Sequence, residues 1–215
     1  MKSLKIDIYS DVVCPWCYLG QKRLQLALEG VSDKIAAEIE WRPFQLDPNV
    51  PEEGYDTFDY LARKIGGRDQ VSRSHAMLKS LGEEIGLPFE LEKAKVFPNT
   101  FDAHRLLHLA GQEGAAVQEK VAQALFRANF VEGRNVADRE VLLAIAADAG
   151  LAGDRVAAYL DSEEDVATLK ADMDRAHSLG ITGVPFFVVD GKYAISGAQN
   201  VEVFANALNQ IADMK

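Results

Sequence analysis

The sequence predicts a discontinuous α/β domain with an all-α domain set between its two halves. Three observations predict it. Residues 4–44 read as strand, helix, strand. From about Tyr55 to about Gly180 the apolar positions recur at helical spacing. After Gly180 the pattern returns to strands and closes on one helix. The α/β domain takes residues 1–50 and 181–215, and the helical insertion takes 51–180.

Leu4, Ile6 and Ile8 alternate with polar residues and predict a first strand. A helix follows from about Pro15 to about Leu28. Proline suits a first helical turn because its missing N–H would find no partner there. Cys17, Gly20, Leu24, Ala27 and Leu28 share one face of that helix. The second strand covers about Ala37 to Phe44, with Ile39 and Trp41 set against Glu38, Glu40 and Arg42. A helix joining two parallel strands implies a right-handed crossover. Asp47-Pro48-Asn49-Val50-Pro51 then breaks the pattern.

Inside the insertion, helices are expected over about Arg68 to Ile85, from Asn99 or Thr100 onward, and over about Ala116 to Phe130. Ala103, Leu106, Leu107 and Ala110 form the stripe of the second of these. Asp138 is positioned to cap a fourth helix that stops at Gly150. A short helix follows Asp154, and the last runs from about Glu163 to Leu179. Pro185 to Val189 then reads as a buried strand, Asp190-Gly191 as a tight hairpin turn, and Lys192 to Ser196 as the partner strand. Val201, Phe204, Leu208 and Ile211 mark a closing helix with Asn200 as its cap.

Composition narrows the function. Hydrophobic residues make up 48% of the 215 residues and charged residues 26%, an ordinary globular balance. The formal net charge of −10 repels a phosphate backbone, so nucleic acid is not an expected partner. No apolar run approaches membrane-spanning length and the start lacks a signal peptide, so a cytoplasmic protein is expected. Both cysteines fall in Cys14-Pro15-Trp16-Cys17. A stabilising disulfide would close a long loop, and this spacing closes none. The pair therefore reads as redox-active or metal-binding.

Cys14 lies where a strand gives way to a helix, so free N–H groups and the positive helix end favour a thiolate there. Cys17 lies one turn inward on the apolar face. An accessible nucleophile with a shielded resolver behind it is what thiol–disulfide exchange requires. The alternative is a zinc half-site, with His104 and His108 at i, i+4 supplying the missing ligands. A second constellation is Thr182-Gly183-Val184-Pro185. It reads either as a plain strand start or as a cis Val184–Pro185 bond that presents the Val184 backbone to an extended substrate.

These motifs, together with Gly197-Ala198-Gln199, resemble the DsbA-like thioredoxin superfamily. The stretch Asp11 to Gly20 and the insert motif Pro98-Asn99-Thr100 with Ala103-His104-Arg105 resemble its cytosolic FrnE-type branch. That branch is related to the kappa-class glutathione transferases and the 2-hydroxychromene-2-carboxylate isomerases. The resemblance covers essentially the whole chain. It implies a thioredoxin-like fold with an inserted all-α helical domain. It also implies Cys14 as nucleophile, Cys17 as resolver, and a cis Pro185 packed near the Cys14 sulfur. Pro15, Trp16, Val184 and Pro185 become candidate substrate-binding residues, joined by Asn99 and His104 if the insert helix borders the cleft. There His104 is a candidate to tune the thiolate or shuttle a proton, against a packing or surface role. Arg105 is expected to tie the insert to an acidic partner.

Two departures bear on function. Periplasmic DsbA has histidine where this chain has Trp16, so a milder oxidant is expected. The glutathione-using relatives commonly carry serine at the position of Cys14, and a Ser-Asp pair near Ala198-Gln199 that this chain lacks. The expected activity is thiol–disulfide oxidoreduction, extending to disulfide isomerisation, on a peptide or small-molecule thiol or disulfide. A glutathione-dependent isomerase or transferase, and a non-catalytic redox-sensing interaction protein, are the alternatives. No cofactor or metal is expected beyond the Cys14–Cys17 pair, with glutathione a conceivable co-substrate. A monomer or a homodimer fits equally.

Overall fold

The computed structural model describes residues 1–214; Lys215, the last residue assigned to the α/β domain, lies outside the described residues. Strand β1 (Lys2–Ser10), helix α1 (Pro15–Gly30) and strand β2 (Ile35–Pro43) form the opening unit, with β1 and β2 parallel. After the insertion come β5 (Phe186–Val189), β6 (Tyr193–Ser196) and α9 (Val201–Asp213). The four strands make one sheet in the order β2-β1-β5-β6, with β5 antiparallel to both neighbours. Two segments far apart in sequence therefore build one sheet. This is the thioredoxin-like arrangement.

The sheet is covered on both faces. Leu4, Ile6 and Ile8 of β1 are buried in the main core, and Phe187 of β5 meets Phe204 of α9 edge-on with ring centroids 4.9 Å apart. Tyr9 points the other way. It packs with Phe44, Ile181, and Ala176 from α8 (Val166–Ser178). Asn200 caps α9 as expected, its side chain accepting the Val203 N–H at 2.9 Å.

The insertion differs in detail from its helical reading. Helix α2 (Thr57–Ile65) was not expected; it precedes α3 (Arg68–Glu83), which starts where the sequence placed it, and Gly66 and Gly67 separate the two by taking positive φ. A two-stranded ribbon of β3 (Tyr55–Asp56) and β4 (Val96–Phe97) lies within the stretch read as helical. Two residues per strand are too few to show an alternation. Then come α4 (Phe101–Gln112) and α5 (Ala115–Arg127), with a π-helical turn over Ala128–Glu132. Helices α6 (Arg139–Ala149) and α7 (Gly153–Leu160) precede α8. Asp138 stands at the start of α6, but its carboxylate accepts from Asn135 Nδ2 at 2.7 Å instead of capping the helix.

Insertion and sheet share one hydrophobic core. Tyr18 of α1 is the link: its ring stacks on Phe126 and Phe130, at 5.4 and 5.8 Å, and meets Phe89 edge-on at 5.4 Å. Gln118 of α5 covers the free edge of β2. Its side chain accepts the Trp41 N–H at 3.0 Å and donates to the Trp41 carbonyl at 3.2 Å. One carboxamide thus pairs the outward-facing backbone of this edge strand at Trp41.

Candidate active site

Cys14 occupies the position just before α1, in an extended conformation, with Pro15 at the first helical position. Its carbonyl accepts the N–H groups of Cys17 and Tyr18, at 3.0 and 3.3 Å, and its own N–H donates to the Asp11 carbonyl at 3.0 Å. The positive end of α1 therefore falls at the Cys14 sulfur. Both cysteines are free thiols. Cys17 is fully buried one turn behind.

The expectation of an exposed Cys14 is corrected: it is 4% exposed. The helical insertion covers it, and its side chain opens onto a cavity of about 270 Å³ instead of bulk solvent. Burial of this kind depends on segments distant in sequence, which a local helix-start pattern does not reveal.

Val184–Pro185 is cis. The Cys14 thiol donates to the Val184 carbonyl at 3.7 Å, so the second constellation forms the facing wall of the site. Glycine at position 20 permits this approach. A Cβ there would stand 2.9 Å from Pro185 Cγ and 3.3 Å from Ala198 Cα. Arg23 fixes the same corner by donating to the Ala198 carbonyl at 2.9 Å.

Burial pushes the Cys17 thiol well above its ordinary range, and the neighbouring Cys14 adds to the rise. The Ser10 hydroxyl and the Asp11 backbone act in the opposite sense on the same sulfur. Ser10 Oγ is 3% exposed as a residue and has no hydrogen-bond partner in the dithiol state. Ser10 was not singled out from the sequence, and Asp11 entered only as the first residue of the motif that runs to Gly20. Their only signal was position, directly ahead of the cysteine motif.

Trp16 lines the cavity, as do Pro15 and Val184. Asn99 does not. Its carboxamide donates to the Val50 carbonyl at 2.8 Å and accepts from Gln45 Nε2 and the Phe101 N–H, at 3.1 and 3.0 Å. It ties the start of α4 to the loop after β2. His104 also stays out of the cavity, because its ring turns toward Asp11 and Phe44. Nε2 lies 3.1 Å from the Phe44 carbonyl, which can only accept, so this nitrogen carries the proton. The same nitrogen is 3.4 Å from Asp11 Oδ1. His104 thus reaches the cysteine loop through Asp11, and through Phe44, whose N–H donates to the Ser10 carbonyl at 3.1 Å.

Arg105 binds backbone more than acid. It donates to the carbonyls of Tyr159, Leu160 and Ser162, at 2.6, 3.0 and 2.7 Å, and to Asp102 at 3.2 Å. It closes the C-terminal end of α7. His108 lies 3.6 Å from Asp165. Among the described residues, no group of three or more His, Cys, Asp or Glu side chains is placed to hold a metal ion.

With this geometry in hand, a family model for the DSBA-like thioredoxin domain matches residues 5–209. The chain belongs to the DSBA-like thioredoxin domain family. Its relatives share nearly its full length. The uncharacterized protein YwbO of Bacillus subtilis is 28% identical over 210 residues, 96% of each chain. The crystal structure of a probable DsbA oxidoreductase from Streptomyces coelicolor is 36% identical, with a TM-score of 0.87 over 96% of this chain and 89% of that one. The cytosolic disulfide reductase DsbM of Pseudomonas aeruginosa, solved with GSH, shares the fold at 21% identity, with a TM-score of 0.65 over 96% of this chain and 98% of that one. No helix among the described residues is long and apolar enough to cross a membrane.

Proposed function

We propose that this protein is a thiol–disulfide oxidoreductase working through dithiol–disulfide exchange between Cys14 and Cys17. The observation that carries the reading is the placement of Cys14. It begins α1, faces the Val184 carbonyl, and has Cys17 fully buried one turn behind it.

The chemistry follows from that order. The Cys14 thiolate attacks a substrate disulfide; one substrate sulfur bonds to Cys14 and the other leaves as a thiol after taking a proton. Cys17 then loses its proton and attacks Cys14 Sγ. The mixed disulfide breaks, the second substrate thiol leaves, and the protein holds the Cys14–Cys17 disulfide. Two electrons pass to the substrate, and run backwards the same steps oxidise a dithiol. The Val184 backbone supplies a contact surface beside the reacting sulfurs. We also propose a cytoplasmic location, that of the FrnE-type branch which the stretch Asp11 to Gly20 resembles.

Insulin reduction with dithiothreitol as the electron source tests the reading. Wild type should accelerate it, Cys14→Ser should not, and Cys17→Ala should accumulate a mixed disulfide. Equal rates for wild type and Cys14→Ser overturn the reading.

A further inference from the structure

The cavity onto which Cys14 opens has an unusual lining for a site that would take glutathione. Its walls come from the cysteine loop, α2, α3, the β4 segment and the π-helical turn. Leu61, Leu78, Phe97 and Phe130 dominate the interior. No Asp, Glu, Lys or Arg lines it. At the rim, Leu46 and Ile65 are 44% and 41% exposed, large apolar side chains left open to solvent. His75 is the one ionisable side chain of the lining besides the thiol, and burial pushes its pKa down, so it is neutral at neutral pH. Asn129, buried on the π-helical turn, makes no side-chain hydrogen bond among the described residues and offers one uncharged polar contact.

Glutathione carries two carboxylates and an ammonium. A charge moved out of water needs a partner, and this lining has none. The corner near Ala198 and Gln199 gives no carboxylate either. Gln199 Nε2 donates to the Ser196 carbonyl, and the Ala198 carbonyl already takes Arg23.

We infer that the cavity selects thiols and disulfides whose sulfur carries an uncharged apolar group of about one aromatic ring, and that it discriminates against glutathione. The inference rests on the exchange reading and names its substrate class. A volume of about 270 Å³ lies just below the usual range of ligand pockets, which begins at about 300 Å³. In the oxidised protein such a thiol attacks Cys14 Sγ, the Cys14–Cys17 bond breaks, and Cys17 takes the proton. A second thiol then attacks the bound sulfur, and the apolar disulfide leaves.

The reaction test compares benzyl mercaptan with glutathione. Oxidised protein is mixed with each thiol, rates are corrected for thiolate fraction, and Trp16 fluorescence is followed. Benzyl mercaptan should react at least tenfold faster. Leu61→Lys, checked for folding by circular dichroism, should lower the benzyl-to-glutathione ratio by a similar factor. N-acetyl-Phe-Cys-amide against N-acetyl-Gly-Cys-amide separates the two sources of the apolar group. A Phe advantage assigns it to a peptide side chain, and benzyl mercaptan alone being favoured assigns it to a small molecule; either supports the inference. Equal or faster reaction of glutathione overturns it.

A binding test is independent of the chemistry. Calorimetry on Cys14→Ser compares benzyl methyl sulfide with S-methylglutathione, neither of which can exchange. Preferential binding of the sulfide supports the cavity assignment even if no thiol reacts, in which case only the exchange reading fails. Tighter binding of S-methylglutathione, or no binding of either, overturns it.

Discussion

The Cys14 sulfur lies 3.7 Å from the carbonyl oxygen of Val184, across 170 positions of sequence. In the dithiol state that oxygen accepts the S–H. Once Cys14 ionises, the same oxygen faces a negative sulfur and gains by accepting an N–H from elsewhere. A substrate backbone or amide N–H would meet that need, so ionisation of Cys14 and engagement of Val184 favour one another.

Gly20 lets the Val184-Pro185 segment pack close to α1, since a Cβ of residue 20 would stand only 2.9 Å from Pro185 Cγ. Backbone at Ala198, 3.3 Å away, leaves little room to yield. Gly20→Ala should destabilise the protein by about 1–3 kcal/mol, the usual range for overpacking. It should also slow Cys14-dependent insulin reduction by moving Val184. Urea midpoints and initial rates read the two effects. Unchanged values for both would show that the site has slack here.

Cys17 makes the stability of the reduced protein depend on pH. Its folded pKa is raised above the ordinary 9.0, first by burial. The unfolded chain therefore loses this proton at lower pH than the folded one. The resulting stability is fully present below about pH 9 and is lost as pH rises from there through the folded value. Reduced wild type should lose up to about 1.4 kcal/mol per pH unit in that window relative to Cys17→Ala. Urea unfolding of both proteins at pH 7, 9 and 10 measures the difference.

Ser10 should govern how quickly Cys17 resolves a mixed disulfide. Its buried hydroxyl lacks a partner while Cys17 is protonated and acts to ease ionisation of that sulfur. A hydrogen bond to a charged group contributes about 1.5–3 kcal/mol. Ser10→Ala should therefore slow resolution about tenfold or more and move its pH profile upward. The first attack by Cys14, measured in the Cys17→Ala background, should not change. Stopped-flow decay of the mixed disulfide follows it, and an unshifted profile would assign Ser10 to packing alone.

The parts that were legible in the sequence are those written in local pattern. Leu4, Ile6 and Ile8 declare β1 by alternation, Asn200 caps α9, and Pro15 opens α1. The cysteine motif stood out because both cysteines fall in one C-x-x-C, and Val184-Pro185 because proline is confined to few strand positions. What was not legible depends on long-range packing. The cover over Cys14 comes from α2, α3 and β4, none of which carries a chemical motif. His104 and Asn99 looked like cleft residues by motif, but side-chain direction is set by partners such as Phe44 and Val50, distant in sequence.

Arg105 shows the same effect on stability. The side chain is buried and holds four backbone carbonyls at and just after the end of α7. Arg105→Met keeps much of the apolar stem but leaves the Leu160 and Ser162 carbonyls without that donor, while the Tyr159 carbonyl keeps the Ser162 N–H and hydroxyl. An unpaired buried polar group costs about 1–3 kcal/mol. The variant should lose at least that much by urea unfolding, with the Cys14–Cys17 reduction potential unmoved. A shifted potential would mean that α7 communicates with the site.

Trp16 should hold the reduction potential down. It stands between the two cysteines on the first turn of α1 and lines the cavity without carrying charge. A cationic side chain there would add to the positive helix end, stabilise the Cys14 thiolate, and so favour the reduced protein. Favouring the reduced form makes the disulfide more oxidising. For this two-electron couple, a shift of about 30 mV corresponds to a tenfold change in the equilibrium constant. Trp16→His should raise the potential by about that amount at pH 6, where imidazole is largely protonated, and by less at pH 8. Equilibration in dithiothreitol buffers, read by thiol alkylation and mass, measures both values without needing the lost indole. The pH difference is the deciding feature, because a mere packing change would shift the potential equally at both.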